Sequence, residues 1–308
     1  MKTTLREAVG NYLSLRRSLG YKLIDTEYRL RSFLEFLEHQ QTDHVTTRLA
    51  LEWAKLPKDA QPACWSQRLS AVRLFAQYRR VEDPRTEIPP PRLLSQRPRR
   101  AISHIFSEKE VDRLVEACKS LPSKGIRHQT YSTLFGLIAV TGCRIGEMVA
   151  LDRDDFRDRD GLLTIKDSKF GKSRLIPLHK STVRELRRYG CLRDCLHSKP
   201  RTNSFFMSDR GTRVTVWSAR RAFVRVSKQI GLRRSSDTRG PRIHDLRHTF
   251  AVKTILRWYH SGANVDQKMP LLSTYLGHTQ PSHTYWYLTA VPELLALAVS
   301  RLEHGTGG

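Results

Sequence analysis

The sequence predicts a mainly α-helical protein in two domains, a four-helix domain followed by an α-rich domain that carries one β-hairpin. Three observations point there. Apolar residues recur at helical spacing through the first eighty positions, a proline-rich basic stretch then interrupts them, and β-type runs are confined to residues 162–178. A chain of 308 residues also exceeds what one core ordinarily serves, since single cores stop growing near ~250–300 residues.

In the first domain Leu5, Val9, Tyr12, Leu13 and Leu19 recur at helical spacing, and Gly20 supplies a stop. Tyr28, Leu30, Phe33, Leu34 and Leu37 mark a second helix. Shorter helices are expected around Arg48–Lys55 and Ala63–Arg80, the latter with Leu69, Val72, Phe75 and Ala76 inward. Four such helices make a small bundle. Asp83-Pro84, Pro89-Pro90-Pro91 and Pro98-Arg99-Arg100 then give residues 82–100 the composition of an extended, charged linker. The boundary is placed near residue 101, which gives domains 1–100 and 101–308.

The second domain opens at Ser107-Glu108-Lys109-Glu110, a capping box followed by Val111, Leu114 and Val115. Helices are expected over Gln129–Thr141, broken at Gly142, and over Arg144–Ala150. Leu162–Lys166 and Arg174–Leu178 are β-rich and flank Lys169-Phe170-Gly171-Lys172, which reads as a hairpin turn. Helices resume near Thr182–Cys195, Val216–Ile230, Asp245–His260 and Asp266–Tyr275, with a last one near Pro292–Glu303.

Charge narrows the function. Lys and Arg number 54 against 30 Asp and Glu, a net of +24, and residues 1–100 and 101–308 are both basic. A long polyanion is the partner such a balance suits. Residues 201–247 are especially rich in arginine (Arg220, Arg221, Arg225, Arg233, Arg234), whose planar fork matches phosphate. No apolar run approaches a membrane span, and the first ten residues lack the apolar stretch of a signal peptide, so a cytoplasmic protein is expected, nucleoid-associated if bacterial. The five cysteines are scattered without a CxxC pair and read as reduced thiols rather than a zinc site.

Cutting a phosphodiester without a metal requires a nucleophile, cations around the non-bridging oxygens and an acid for the departing alkoxide. The second domain supplies candidates in order: Arg144 in TGCRIGEM, Lys169 in the hairpin, His244 and Arg247 in HDLRH, His278 in LGH, and Tyr287 nine residues on. This ordered series resembles the tyrosine recombinase (phage integrase) family, and the resemblance spans nearly the whole chain. It implies an N-terminal four-helix core-binding domain and an α-rich catalytic domain with a small antiparallel β-sheet, which together clamp DNA. It further implies a site-specific DNA recombinase of the integrase or transposase type, with double-stranded DNA as partner and no cofactor or metal. The working assembly would be a homo-tetramer, a dimer at each recombination site, or a hetero-oligomer with related recombinases.

Each residue has a plainer alternative. Arg144 could be one surface charge among many, but Glu147 one turn on is placed to orient it. His244 and Arg247 share a helical face; His244 and His248 at i and i+4 would suit zinc, yet Asp245 stands where a zinc protease carries Glu. Lys169 competes with Lys172 for the acid role, and the family pattern selects Lys169. Tyr287 is preferred to Tyr285 on its spacing from His278, with Tyr285 and Trp286 read as packing. By this reading Tyr287 attacks the phosphate, Arg144 and Arg247 neutralise it, His244 assists the tyrosine, His278 donates to a phosphate oxygen, and Lys169 protonates the leaving group. A type IB topoisomerase would share this chemistry, a non-catalytic DNA-binding regulator would not use it, and a metal-dependent nuclease would draw on Asp152, Asp154, Asp155, Asp158 and Asp160.

Overall fold

A computed structural model of the chain describes residues 3–94, 103–166, 173–198, 201–237, 240–278, 280 and 282–289. The chain divides into two compact units, Met1–Ala101 and Ile102–Gly308.

The first unit holds four helices, α1 (Leu5–Ser18), α2 (Ile24–His39), α3 (Thr47–Lys55) and α4 (Pro62–Arg79). Thr4 and Glu7 form a capping box at the start of α1, satisfying backbone N–H groups that have no partner within the helix. Trp53 is 1% exposed, packs on Phe33 at a ring separation of 5.1 Å, and is covered by the Arg68 guanidinium. Burying side chains of this size stabilises the bundle by ~1.5–3 kcal/mol each. Two residues of the apolar pattern face outward instead: Leu19 lies beyond the end of α1, and Tyr28 is 74% exposed on the outer face of α2. The proline-rich stretch is extended but does not hang free. Glu87 N–H donates to Val45 O at 2.8 Å, and Arg73 donates to the carbonyls of Pro89 and Pro90 at 2.7 and 2.8 Å. Ile88 and Leu94 pack on the bundle core, so the segment is docked on its own unit up to residue 94.

In the second unit α5 (Glu108–Ala117) starts at the predicted capping box. It is followed by α6 (Arg127–Thr141), α7 (Ile145–Ala150), a three-stranded sheet, α8 (Lys180–Leu196), α9 (Val216–Gln229), α10 (Ile243–His260), α11 (Val265–Leu276) and α12 (Ser282–Thr289). The strands β1 (Phe156–Arg157), β2 (Leu162–Ile165) and β3 (Arg174–Pro177) are antiparallel in the order β1-β2-β3. Leu162 pairs with Pro177 and Ile165 with Arg174, so Leu163, Ile165 and Ile176 share the buried face. Helix α6 threads the core with Tyr131, Leu134, Phe135, Leu137 and Ile138 buried, and contacts α5, α8 and α10. Three of the aspartates of 152–160 are engaged in ion pairs with neighbouring elements: Asp152 with Arg213, Asp155 with Lys166 and Asp158 with Arg187. They brace the sheet against its neighbours.

A smaller cluster, Ala251, Val252, Ile255, Val265, Met269, Leu272, Leu276 and Tyr287, ties α10, α11 and α12 together. The sequence pattern gave no helix at 282–289, because eight residues span too few turns to display a period. The expected helix at Pro292–Glu303 lies outside the described residues.

Gly142 ends α6 in the left-handed region at φ +64°, and a Cβ there would sit 2.5 Å from the Phe250 ring on α10. Gly142→Ala should therefore combine backbone strain with overpacking and destabilise the second unit by roughly 2–4 kcal/mol, measurable by denaturant titration. A loss below about 0.5 kcal/mol, typical of a surface change, would contradict this packing.

Candidate active site

Three helix ends converge where α6 stops, α7 starts and α11 stops. Arg144 is the residue before α7, and its backbone N–H and side chain both bond Glu147, at 2.9 Å each. Its guanidinium also donates to Gly277 O at 2.9 Å and Leu276 O at 3.3 Å, the unpaired carbonyls that finish α11. Arg247, 1% exposed on α10, donates to the same Leu276 O and to Gly142 O at the end of α6, both at 2.8 Å. Two guanidinium groups thus share one carbonyl oxygen. The negative pole of a helix C-terminus offsets part of their repulsion.

Glu147 is the buried counter-charge. Arg144 approaches one of its oxygens, and Arg174 from β3 grips both at 2.8 and 3.1 Å. Hydrogen bonds from Arg174 and from the Arg144 backbone hold its carboxyl below the usual range against the opposing effect of burial. Arg174 additionally donates to Tyr275 O at 2.8 Å, so three arginines fasten to three consecutive carbonyls of the α11 end. Gly277 makes this approach possible: it adopts φ +66°, and a Cβ there would fall 2.9 Å from the Arg174 guanidinium. The sequence pattern anticipated Glu147 as the orienting group but not Arg174. The signal was present, since alternation along Arg174–Pro177 puts Arg174 on the same side as the core-facing Ile176.

The histidines gather around Arg247. His278 Nε2 lies 2.9 Å from Arg247 Nη2, and its Nδ1 lies 2.7 Å from Thr284 Oγ1 on α12. His244 stands at the start of α10 with a solvent-exposed face. Crowding by surrounding protein, then repulsion from Arg247 and Arg242, lowers its pKa to about 4, so the ring is neutral near pH 7. Asp245 caps this end of α10, accepting from the Arg242 backbone N–H at 2.8 Å, which is why a carboxylate stands between His244 and Arg247. His248, one turn further on, is buried against His244, Trp286 and Tyr287 at ring separations of 4.6, 5.2 and 5.3 Å. Among the described residues no three His, Cys, Asp or Glu side chains gather as a metal-ligand set.

The two tyrosines are separated by the geometry of α12. Positions two apart in a helix point to nearly opposite sides. Tyr287 is 2% exposed, stacked 6.1 Å from the His278 ring, whereas Tyr285 is 40% exposed. Tyr285 thus faces outward rather than packing, whereas Trp286 does pack, against His248. Burial raises the Tyr287 pKa, and the adjacent Arg247 charge opposes that rise. The site therefore assembles Arg144, His244, Arg247, His278 and Tyr287, while Lys169 and its rival Lys172 lie outside the described residues. A cluster of guanidinium groups beside a phenol and two imidazoles can bind an oxyanion and move a proton at its edge.

This fold and site define a DNA strand-transfer enzyme of the tyrosine recombinase class. The chain belongs to the phage integrase family, whose model matches residues 104–293. A Sinorhizobium fredii protein named as a candidate integrase/recombinase, y4rB, is 45% identical over 98% of both chains. Tyrosine recombinase XerD of Bradyrhizobium diazoefficiens is 27% identical over 94% of this chain and 93% of its own. Among solved structures, the Tn1549 transposon integrase in complex with transposon right end DNA aligns with a TM-score of 0.67 at 15% identity, covering 98% of this chain and 99% of that one. A lambda integrase tetramer bound to a Holliday junction aligns with a TM-score of 0.65 at 19% identity, over 93% and 77%. At such identities the structures show a shared fold.

His248, whose pKa burial lowers from 6.5 to about 4, carries a stability consequence. Between those values the unfolded chain takes up a proton that the folded chain refuses, so stability falls as pH drops through that window. Replacement by Phe should flatten this slope, read as denaturation midpoints at intervals from pH 7 to pH 4.5. An unchanged slope would contradict the burial of a neutral imidazole.

Proposed function

We propose that the chain cuts and rejoins DNA at specific sites through a covalent 3′-phosphotyrosyl intermediate on Tyr287, using neither a metal nor ATP. The observation that carries this reading is the convergence of Arg144 and Arg247 on one carbonyl with Tyr287 and His278 beside them. A phosphodiester entering this corner would meet the partly exposed Arg144 guanidinium, with the buried Arg247 charge behind it. The Tyr287 oxygen attacks phosphorus, the bond to the 5′ oxygen breaks, and a free 5′-hydroxyl leaves. His244, neutral and holding a lone pair, receives the phenol proton. Burial, and after it repulsion from Arg247 and Arg242, keeps this imidazole weakly basic, and the arriving phosphate charge counters the repulsive part. Lys169 protonates the departing 5′ oxygen, and His278 bonds a non-bridging oxygen.

Because the intermediate stores a phosphoester, the 5′-hydroxyl of a second strand reverses the step, which suits integration or transposition between two duplexes. The 1–100 helical unit adds DNA affinity, and a dimer at each site, tetrameric when two sites are joined, brings the strands together. The net charge of +24 and the DNA-bound Tn1549 integrase support DNA as the partner, and the lambda integrase tetramer on a Holliday junction supports the assembly. No helix among the described residues is long and apolar enough to cross a membrane, and a cytoplasmic, nucleoid-associated location fits a DNA-acting enzyme.

The test is adduct trapping on nicked duplexes built from the flanks of the encoding locus. Tyr287→Phe should bind these duplexes with parental affinity and form no covalent complex, and Tyr285→Phe should form it at the parental rate. An adduct from Tyr287→Phe would move the nucleophile elsewhere.

A further inference from the structure

The His278 ring is held at both nitrogens, and the chemistry of its partners determines where its proton sits. Nε2 lies 2.9 Å from Arg247 Nη2. A guanidinium only donates, so Nε2 is the acceptor of this pair and carries no hydrogen. The proton of the ring therefore resides on Nδ1 and is donated to Thr284 Oγ1 at 2.7 Å. Thr284 is 1% exposed and lies one turn before Tyr287 on the same face of α12.

The opposite tautomer would turn Nε2–H against an N–H of Arg247, donor against donor, and would leave Nδ1 to accept from the hydroxyl. Removing the hydroxyl would strand a buried Nδ1–H and release the ring to adopt that clashing form. Arg247 has little room to yield, because its other bonds fix it to Gly142 O and Leu276 O.

We propose that Thr284 is a positioning residue acting through His278: its hydroxyl accepts the Nδ1 proton and so fixes the plane of the ring, keeping Nε2 directed into the corner, where it accepts from Arg247 in the DNA-free protein and, on taking up a proton from solvent as the phosphate arrives, donates to a phosphate oxygen. The assignment rests on the reading of His278 as a phosphate ligand. It goes beyond that reading by naming the group that sets the histidine's state, and by tying α12 to the arginines through a hydrogen bond as well as through the tyrosine.

Two variants and two readouts test it. Thr284→Val keeps the shape and loses the hydroxyl, and Thr284→Ser keeps the hydroxyl. With the nicked locus-flank duplexes, Thr284→Val should retain DNA affinity within about twofold while the single-turnover rate of adduct formation falls on the order of tenfold to a hundredfold. Thr284→Ser should restore most of that rate. Nitrogen-15 imidazole spectra of the DNA-free protein, with the His278 signals assigned by their loss in His278→Gln, should show the Nδ1–H tautomer in the parent. That pattern should disappear in Thr284→Val. Parental cleavage by Thr284→Val, cleavage by Thr284→Ser as slow as by the valine variant, or an Nε2–H ring in the parent would each overturn the proposal. A parent that forms no adduct on any locus-flank duplex counts against the functional reading instead, and the imidazole spectrum then decides the role of Thr284 on its own. The same spectrum decides it should the valine variant fail to fold.

Discussion

The C-terminal carbonyls of α11 are the feature on which the rest of the second unit depends. Arg144, Arg174 and Arg247 come from three separate elements and place three positive charges in one corner, against the single carboxylate of Glu147. That leaves two uncompensated cations near a hydrophobic core. Such an arrangement is costly unless every donor is directed. The carbonyls of Tyr275, Leu276 and Gly277 supply that direction, together with the partial negative charge of a helix end. The arginines remain attractive to a phosphate because the carbonyls carry only partial charges, whereas a second carboxylate would cancel the field that an incoming anion is meant to feel.

The same helix end links electrostatics to packing. Leu276 belongs by its side chain to the small cluster of α10, α11 and α12, and by its carbonyl to the arginine corner. Tyr287 belongs to that cluster by its ring and faces Arg247 by its hydroxyl. A shift of α12 would therefore move the phenol and Thr284 as one body relative to the arginines. Burial keeps the Tyr287 phenol protonated and enclosed in the DNA-free protein.

Much of this was legible in the sequence where a strong local rule applied. Capping at Ser107, the β-rich runs on either side of Lys169 and the break at Gly142 are set by backbone chemistry and appear where the residues announce them. Motif order likewise pointed to Arg144, His244, Arg247, His278 and Tyr287. What escaped the sequence depends on contacts between distant positions. Arg174 reads as one more exposed arginine until β3 carries it to Glu147, 27 residues away in the chain. Thr284 looks like an ordinary hydroxyl until α12 forms and brings it to His278. Tyr28 fits an apolar period but faces solvent, because the bundle fills that side of α2 with Leu30, Phe33, Leu34 and Leu37. The proline-rich stretch has a linker's composition, and only the hydrogen bonds of Arg73 and Glu87 reveal that it is seated on the bundle.

The central claim is that the arginine corner delivers a phosphate to one particular phenol. Its most direct test is to digest a trapped protein–DNA complex with protease and nuclease and to locate the nucleotide remnant by mass spectrometry. The account predicts a phosphonucleotide on Tyr287, joined through the 3′ position of the cleaved strand, in the parent and lost together with the complex when Arg144 or Arg247 is replaced by Ala. A remnant on Tyr285 or on any other residue, or one joined through a 5′ phosphate, would contradict it.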